Sequence, residues 1–152
     1  MLNWSVSEMK AIGSATARLK TERMIYIVLN APAILAATAA AIAFGAVFYR
    51  MVGGAAPLAI GTIVTAFVAQ FWLAAILAGA LILAPPKGGV WTMTLGSAFV
   101  IWIGFVAPVL LATYRLRGMR WAMALADAAY WLGAMLIMAI VLRLIGLVPP
   151  PV

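Results

Sequence analysis

From Ile25 to Val148 the chain is almost continuously apolar, interrupted only at Gly53-Gly54, at Pro85-Pro86-Lys87 and from Arg115 to Arg120. The interruptions leave four stretches, each near or above the ~20 residues that a helix needs to cross a ~30 Å hydrocarbon layer. The pattern predicts an all-α fold, an integral membrane bundle of four transmembrane helices over about 32–51, 58–83, 91–114 and 121–147. These make one transmembrane domain, 24–148, behind a basic N-terminal tail or short interfacial helix, 1–23.

The tail is the only substantial polar segment. Ser5 followed by Glu8 has the spacing of a capping box at a helix start. Val6, Met9, Ile12 and Leu19 fall loosely on one side, but Lys20 falls there too, so the amphipathic character is modest. Two readings stay open: a helix lying in the membrane interface with Trp4 as an anchor, or a basic tail. The long mixed-charge tail and the length of the run after it argue against a signal peptide.

In the first run, Asn30-Ala31-Pro32 reads as a helix start, since Asn caps well and Pro is tolerated in the first turn. Ala33, Ala37, Ala41 and Gly45 recur every four residues. Such a stripe lets another helix backbone approach closely in lipid, where packing drives association. Ala66, Gln70, Ala74 and Ala78 form a second stripe in the second run, with Gln70 near mid-membrane, expected as an interhelical hydrogen-bonding group. In the third run, Thr94, Ser97, Ile101, Gly104, Pro108 and Leu111 share one side. Pro108 cannot donate a backbone bond, and its ring presses on the carbonyl of Gly104, so a kink is expected between Gly104 and Pro108. In the fourth run Asp127, Tyr130, Trp131, Ala134 and Met138 share a face, and Pro149-Pro150-Pro151 follows its end.

Asp127 is the only acidic residue in or near the hydrocarbon, which makes it, with Tyr130 and Arg120, the candidate intramembrane polar site. The structural expectation is an ion pair with Arg120, Arg117 or Arg115 at headgroup depth. The functional alternative is a direct part in transport or ligand binding.

Composition narrows the chemistry. The 152 residues are 68% hydrophobic and 9% charged, against the ~25% charged of soluble domains. There is no cysteine and no histidine, which excludes thiolate and imidazole ligands and so a His-ligated metal or haem from this chain. The net charge of +7 comes from Lys and Arg at the edges of the apolar runs, as expected of anchors on anionic lipid and not of a nucleic-acid surface. With four spans both ends share one side, carrying Lys10, Arg18, Lys20, Arg23, Lys87 and Arg143 against Arg50, Arg115, Arg117 and Arg120 opposite. The positive-inside rule then favours cytoplasmic termini.

Three segments carry a resemblance: Trp102-Ile103-Gly104-Phe105-Val106-Ala107-Pro108, Gly118-Met119-Arg120-Trp121 and Asp127-Ala128-Ala129-Tyr130-Trp131, with Phe44-Gly45-Ala46-Val47-Phe48-Tyr49 as a weaker match. In these the chain resembles the bacterial family named domain of unknown function 1761, over roughly residues 30–147 and best over 90–147. Residues 1–29 look like an extension upstream of the usual family start, and the connection between the first two runs looks shorter than usual. The resemblance implies a four-helix protein of the bacterial inner membrane. It implies no reaction and no site residues.

Catalysis is not expected, because general acid–base work needs positioned titratable groups and no carboxylate pair, phosphate-binding Gly motif or metal-ligand cluster occurs. The reading preferred from sequence is a non-catalytic accessory or structural subunit, docked through the small-residue stripes on a larger photosynthetic or respiratory membrane complex. Its expected partners are membrane lipids and other integral membrane subunits. Six Trp, six Phe and four Tyr would suit a lipid, quinone or carotenoid pigment held by apolar contacts. The alternative is a small oligomeric transporter or channel using Asp127 and the Gly104–Pro108 kink.

Overall fold

The computed structural model describes residues 5–7, 9–14, 27–52, 59–85 and 88–149. Four helices carry the fold: α1 (Ala31–Val52), α2 (Ile60–Leu83), α3 (Val90–Leu116) and α4 (Trp121–Ile145). Each is long and apolar enough to cross a membrane. The chain is an all-α, multi-pass membrane protein. Residues 9–14 are helical and exposed, while Trp4, Glu8, Leu19 and Lys20, on which the interfacial-helix reading depends, lie outside the described residues.

α4 is the centre of the bundle and packs on all three other helices. Its buried residues, Ala124, Ala128, Tyr130, Ala134, Met135, Met138, Ala139 and Leu142, cover about half its circumference at 100° per residue. The most extensive partner is α1. The first small-residue stripe is buried in that contact, Ala37 and Ala41 completely. A Cβ on Gly45 would stand 2.9 Å from the Tyr130 hydroxyl oxygen, and one on Gly133 would stand 2.7 Å from the Phe44 ring. Interlocking of this kind explains both glycines. It also corrects the docking expectation: the stripe of Ala33, Ala37, Ala41 and Gly45 is consumed inside the bundle and presents nothing to another protein. The second stripe divides, with Gln70, Ala74 and Ala78 buried and Ala66 exposed.

α3 is the least buried helix, and it changes geometry midway. Residues Trp102–Val106 form a π-helical turn, closed by the Ala107 N–H on the Trp102 carbonyl five residues earlier. Pro108, which has no N–H to give, follows immediately. The expected kink is therefore a π turn beside the proline. One extra residue rotates the following side chains by about 100° relative to an unbroken α-helix. From the last residue of the turn onward the less exposed side chains are Val106, Ala107, Leu110, Leu111, Thr113 and Tyr114. Gly104 and Pro108, expected on one side with Thr94, Ser97, Ile101 and Leu111, are exposed.

The helix ends are fixed by polar contacts. α3 stops in a Schellman motif, with Met119 N–H on the Tyr114 carbonyl and Gly118 N–H on the Arg115 carbonyl. Gly118 adopts the required positive φ of 69°. At the other end of the bundle the carboxamide of Asn30 accepts from Val148 N–H at 2.8 Å and donates to its carbonyl at 2.9 Å, tying the start of α1 to the segment after α4.

Introducing Leu at both Ala37 and Ala41 overpacks the α1–α4 contact and is expected to destabilise the bundle by about 2–5 kcal/mol in all. Leu at the exposed Ala39 is expected to be neutral. Thermal unfolding of the purified protein in detergent separates the two variants.

Candidate functional site

The polar side chains of the membrane region gather where the C-terminal ends of α1 and α3 meet the N-terminal half of α4. Asp127, half-buried on α4, accepts a hydrogen bond from the Tyr49 hydroxyl of α1 at 3.0 Å on Oδ1. The Tyr114 hydroxyl of α3 donates to its Oδ2. One carboxyl group thus fastens three helices. It does so without an ion pair: among the described residues no arginine lies within salt-bridge distance of it. Arg115 instead donates to the Met119 carbonyl at 3.1 Å and stacks 4.8 Å over the Trp121 ring, and Arg117 and Arg120 are exposed. The expected partners of Asp127 are thereby replaced, and Arg120 drops out of the site. The reason is the π turn, which rotates Tyr114 onto α4 and so brings a hydroxyl to the carboxyl group.

One turn further along α4, Tyr130 is enclosed by rings. The centroids of Phe44, Phe48, Tyr49 and Trp131 lie 6.1, 5.6, 5.0 and 5.4 Å from its own. Its hydroxyl rests against the backbone of Gly45, and α2 reaches it from the other side through Gln70, whose Nε2 donates to that hydroxyl at 2.5 Å. Gln70 is 2% exposed, and its Oε1 has no hydrogen-bond partner. Having accepted from Gln70, the Tyr130 hydroxyl donates to no acceptor among the described residues. No hydrogen bond joins this pair to the Asp127 cluster, so the two are separate polar centres.

Above Gln70, α2 leaves the bundle: all ten residues from Ile60 to Ala69 are exposed. The divergence opens a cleft of about 670 Å³ between α2, α1 and α4. Its α2 wall is made of small residues, Gly61, Thr62, Thr65, Ala66 and Ala69, facing Tyr49 and Trp131, with Gln70 and Tyr130 also in its lining. The Thr65 hydroxyl is already spent on the Gly61 carbonyl at 2.8 Å. The cleft therefore has largely apolar walls, with the Gln70–Tyr130 pair as its buried polar contact and Thr62 and Trp131 also in its lining.

Of the residues singled out from sequence, Gln70, Tyr130 and Asp127 fall in this region, while Gly104 and Pro108 face outward on α3. Tyr49 and Trp102 stood out only as members of the longer segments that carry the resemblance, and Tyr114 was not singled out. The Trp102 indole, from the π turn, donates to the Ala128 carbonyl at 2.8 Å and locks α3 to α4 beside the cluster. That contact joins two of the segments that carry the resemblance. The signal available in the sequence was that Tyr49 and Tyr114 each stand next to the arginine closing a spanning run, a position that reads first as an interfacial anchor. Among the described residues no group of His, Cys, Asp or Glu side chains is arranged to hold a metal ion. No protein-family model, curated protein or solved structure matches the chain.

Asp127→Leu strips both tyrosine hydroxyls of their acceptor and is expected to cost about 1–3 kcal/mol. Tyr114→Phe is expected to cost less, and combining it with Asp127→Leu should add almost nothing. Unfolding of the two single variants and the double variant in detergent gives the coupling, and strictly additive losses would refute the shared cluster.

Proposed function

We propose that the protein is a non-catalytic membrane protein that holds a lipophilic molecule in the cleft between α1, α2 and α4, as an accessory component of a larger energy-converting assembly in the bacterial inner membrane, with its termini cytoplasmic. The observation that carries the reading is the Gln70 carbonyl oxygen, buried beside the cleft with no partner. A hydrocarbon layer supplies no water to such a group, and leaving it unpaired costs several kcal/mol. A resident molecule removes that cost.

The dimensions support a small molecule over a helix from another protein. Ligand pockets are typically of ~300–1,000 Å³, mostly apolar with a few polar groups, and this cleft has that character. Ten residues of helix, about 10 Å across and 15 Å long, displace roughly 1,200 Å³. Membership of an assembly is favoured by the first half of α2, which is exposed over all ten residues from Ile60 to Ala69. Transport through Asp127 is disfavoured, because its carboxyl group is tied to two helices and shares no hydrogen bond with the Gln70–Tyr130 pair.

Phe in place of Ala66 or Ala69 fills the cleft from its exposed wall. After mild-detergent purification from native membranes and solvent extraction, these variants are expected to retain at least about fivefold less lipophile than the parent, as a factor of five corresponds to only ~1 kcal/mol of lost contact. Phe at Ala39, remote from the cleft, serves as the control. Equal retention in all variants would exclude the cleft as the binding site.

A further inference from the structure

We infer that the cleft selects a lipophilic alcohol, a molecule that carries a hydroxyl group to the middle of the bilayer and places it between Gln70 and Tyr130. The inference rests on the binding role proposed above and adds the chemistry of the ligand's polar end.

The unused capacity at the site has a definite sense. Gln70 offers a carbonyl acceptor, Oε1, which has no partner, while its carboxamide nitrogen gives one of its two hydrogens to Tyr130. Tyr130 offers a hydroxyl hydrogen, because its oxygen already accepts from Gln70. One acceptor and one donor stand on adjacent groups. A hydroxyl is the smallest group that answers both, donating to Oε1 and accepting from Tyr130. An ether or a carbonyl can accept from Tyr130 but leaves Oε1 bare. A purely hydrocarbon ligand answers neither.

Depth decides where the hydroxyl comes from. Gln70 is the eleventh residue of α2, ten steps of 1.5 Å from its start, roughly 15 Å along the axis. That is half of a ~30 Å hydrocarbon layer. A phospholipid headgroup, held at the interface, stops far short of this level. A molecule whose only polar group is a hydroxyl inserts completely and carries it there. The ring cage around Tyr130 and the close fit against Gly45 fix the donor's direction, so the site is rigid on the protein side.

The test uses the full chain in phosphatidylcholine nanodiscs and three probes with one hydrocarbon skeleton: geranylgeraniol, its methyl ether and the corresponding aldehyde. Binding of the radiolabelled alcohol is measured, with the other two as competitors. The alcohol is expected to bind about tenfold tighter than either analogue, the scale of one interhelical-type hydrogen bond in lipid. In Gln70→Leu the three should become equal, and in Tyr130→Phe all three should bind more weakly while the preference for the alcohol persists. If Gln70→Leu does not fold, the three-probe series on the unmodified chain and Tyr130→Phe still decide the matter. Equal affinities in the unmodified chain, or preference for the aldehyde, would overturn the alcohol assignment and leave the binding role standing. Saturable binding of none of the three would overturn the binding role itself. Displacement of the alcohol on replacing phosphatidylcholine by phosphatidylglycerol would assign the hydroxyl to a lipid headgroup and overturn the free alcohol.

Discussion

A polar group inside a bilayer has no water to fall back on, so each must find its partner within the protein or go without. Nearly every polar contact in this bundle follows from that. The backbone meets the demand by forming helices. Thr38, Thr65 and Thr94 return their hydroxyls to the carbonyl four residues earlier. Asn30 closes on the backbone of Val148, Trp102 on that of Ala128, and Asp127 collects two tyrosine hydroxyls. Gln70 is the exception among the described side chains, since its carbonyl oxygen is buried without a partner. One unpaired buried atom among these contacts is informative, and its residue lies at the cleft between α1, α2 and α4.

The three-helix cluster at Asp127 depends on a second feature, the π turn in α3. Without the added residue Tyr114 would be turned by about 100° from its present direction, away from Asp127. Pro108, just after the turn, faces outward, and the turn brings Tyr114 to Asp127. The Schellman motif at Gly118 then ends α3 directly after that tyrosine. A backbone irregularity, a helix stop and a three-helix polar cluster form one continuous arrangement.

The α1–α4 contact and the cleft stand in contrast. Small residues on α1 allow α4 to come so close that Gly45 and Gly133 each have a ring against them. Small residues on α2, in the stretch Gly61 to Ala69, are exposed and line the cleft facing Tyr49 and Trp131. The same residue types thus give close packing in one place and a cavity in the other. The difference is that α2 diverges from the bundle above Gln70.

By itself the sequence determined the number, length and order of the spanning helices, because hydrophobic run length against bilayer thickness is a local quantity. It also marked Gln70, Asp127 and Tyr130, since polar residues are conspicuous in an apolar run. Three things were decided only by tertiary structure. Whether a small-residue stripe faces its own bundle or another molecule depends on which helix lies beside it, and Ala33 to Gly45 proved internal. The partners of Asp127 depend on the rotation introduced at Trp102–Val106, and a proline spaced four residues from a glycine fits a simple kink as well as a π turn. The cleft depends on where α2 parts from its neighbours, a property of pairs of helices that no single run of residues encodes.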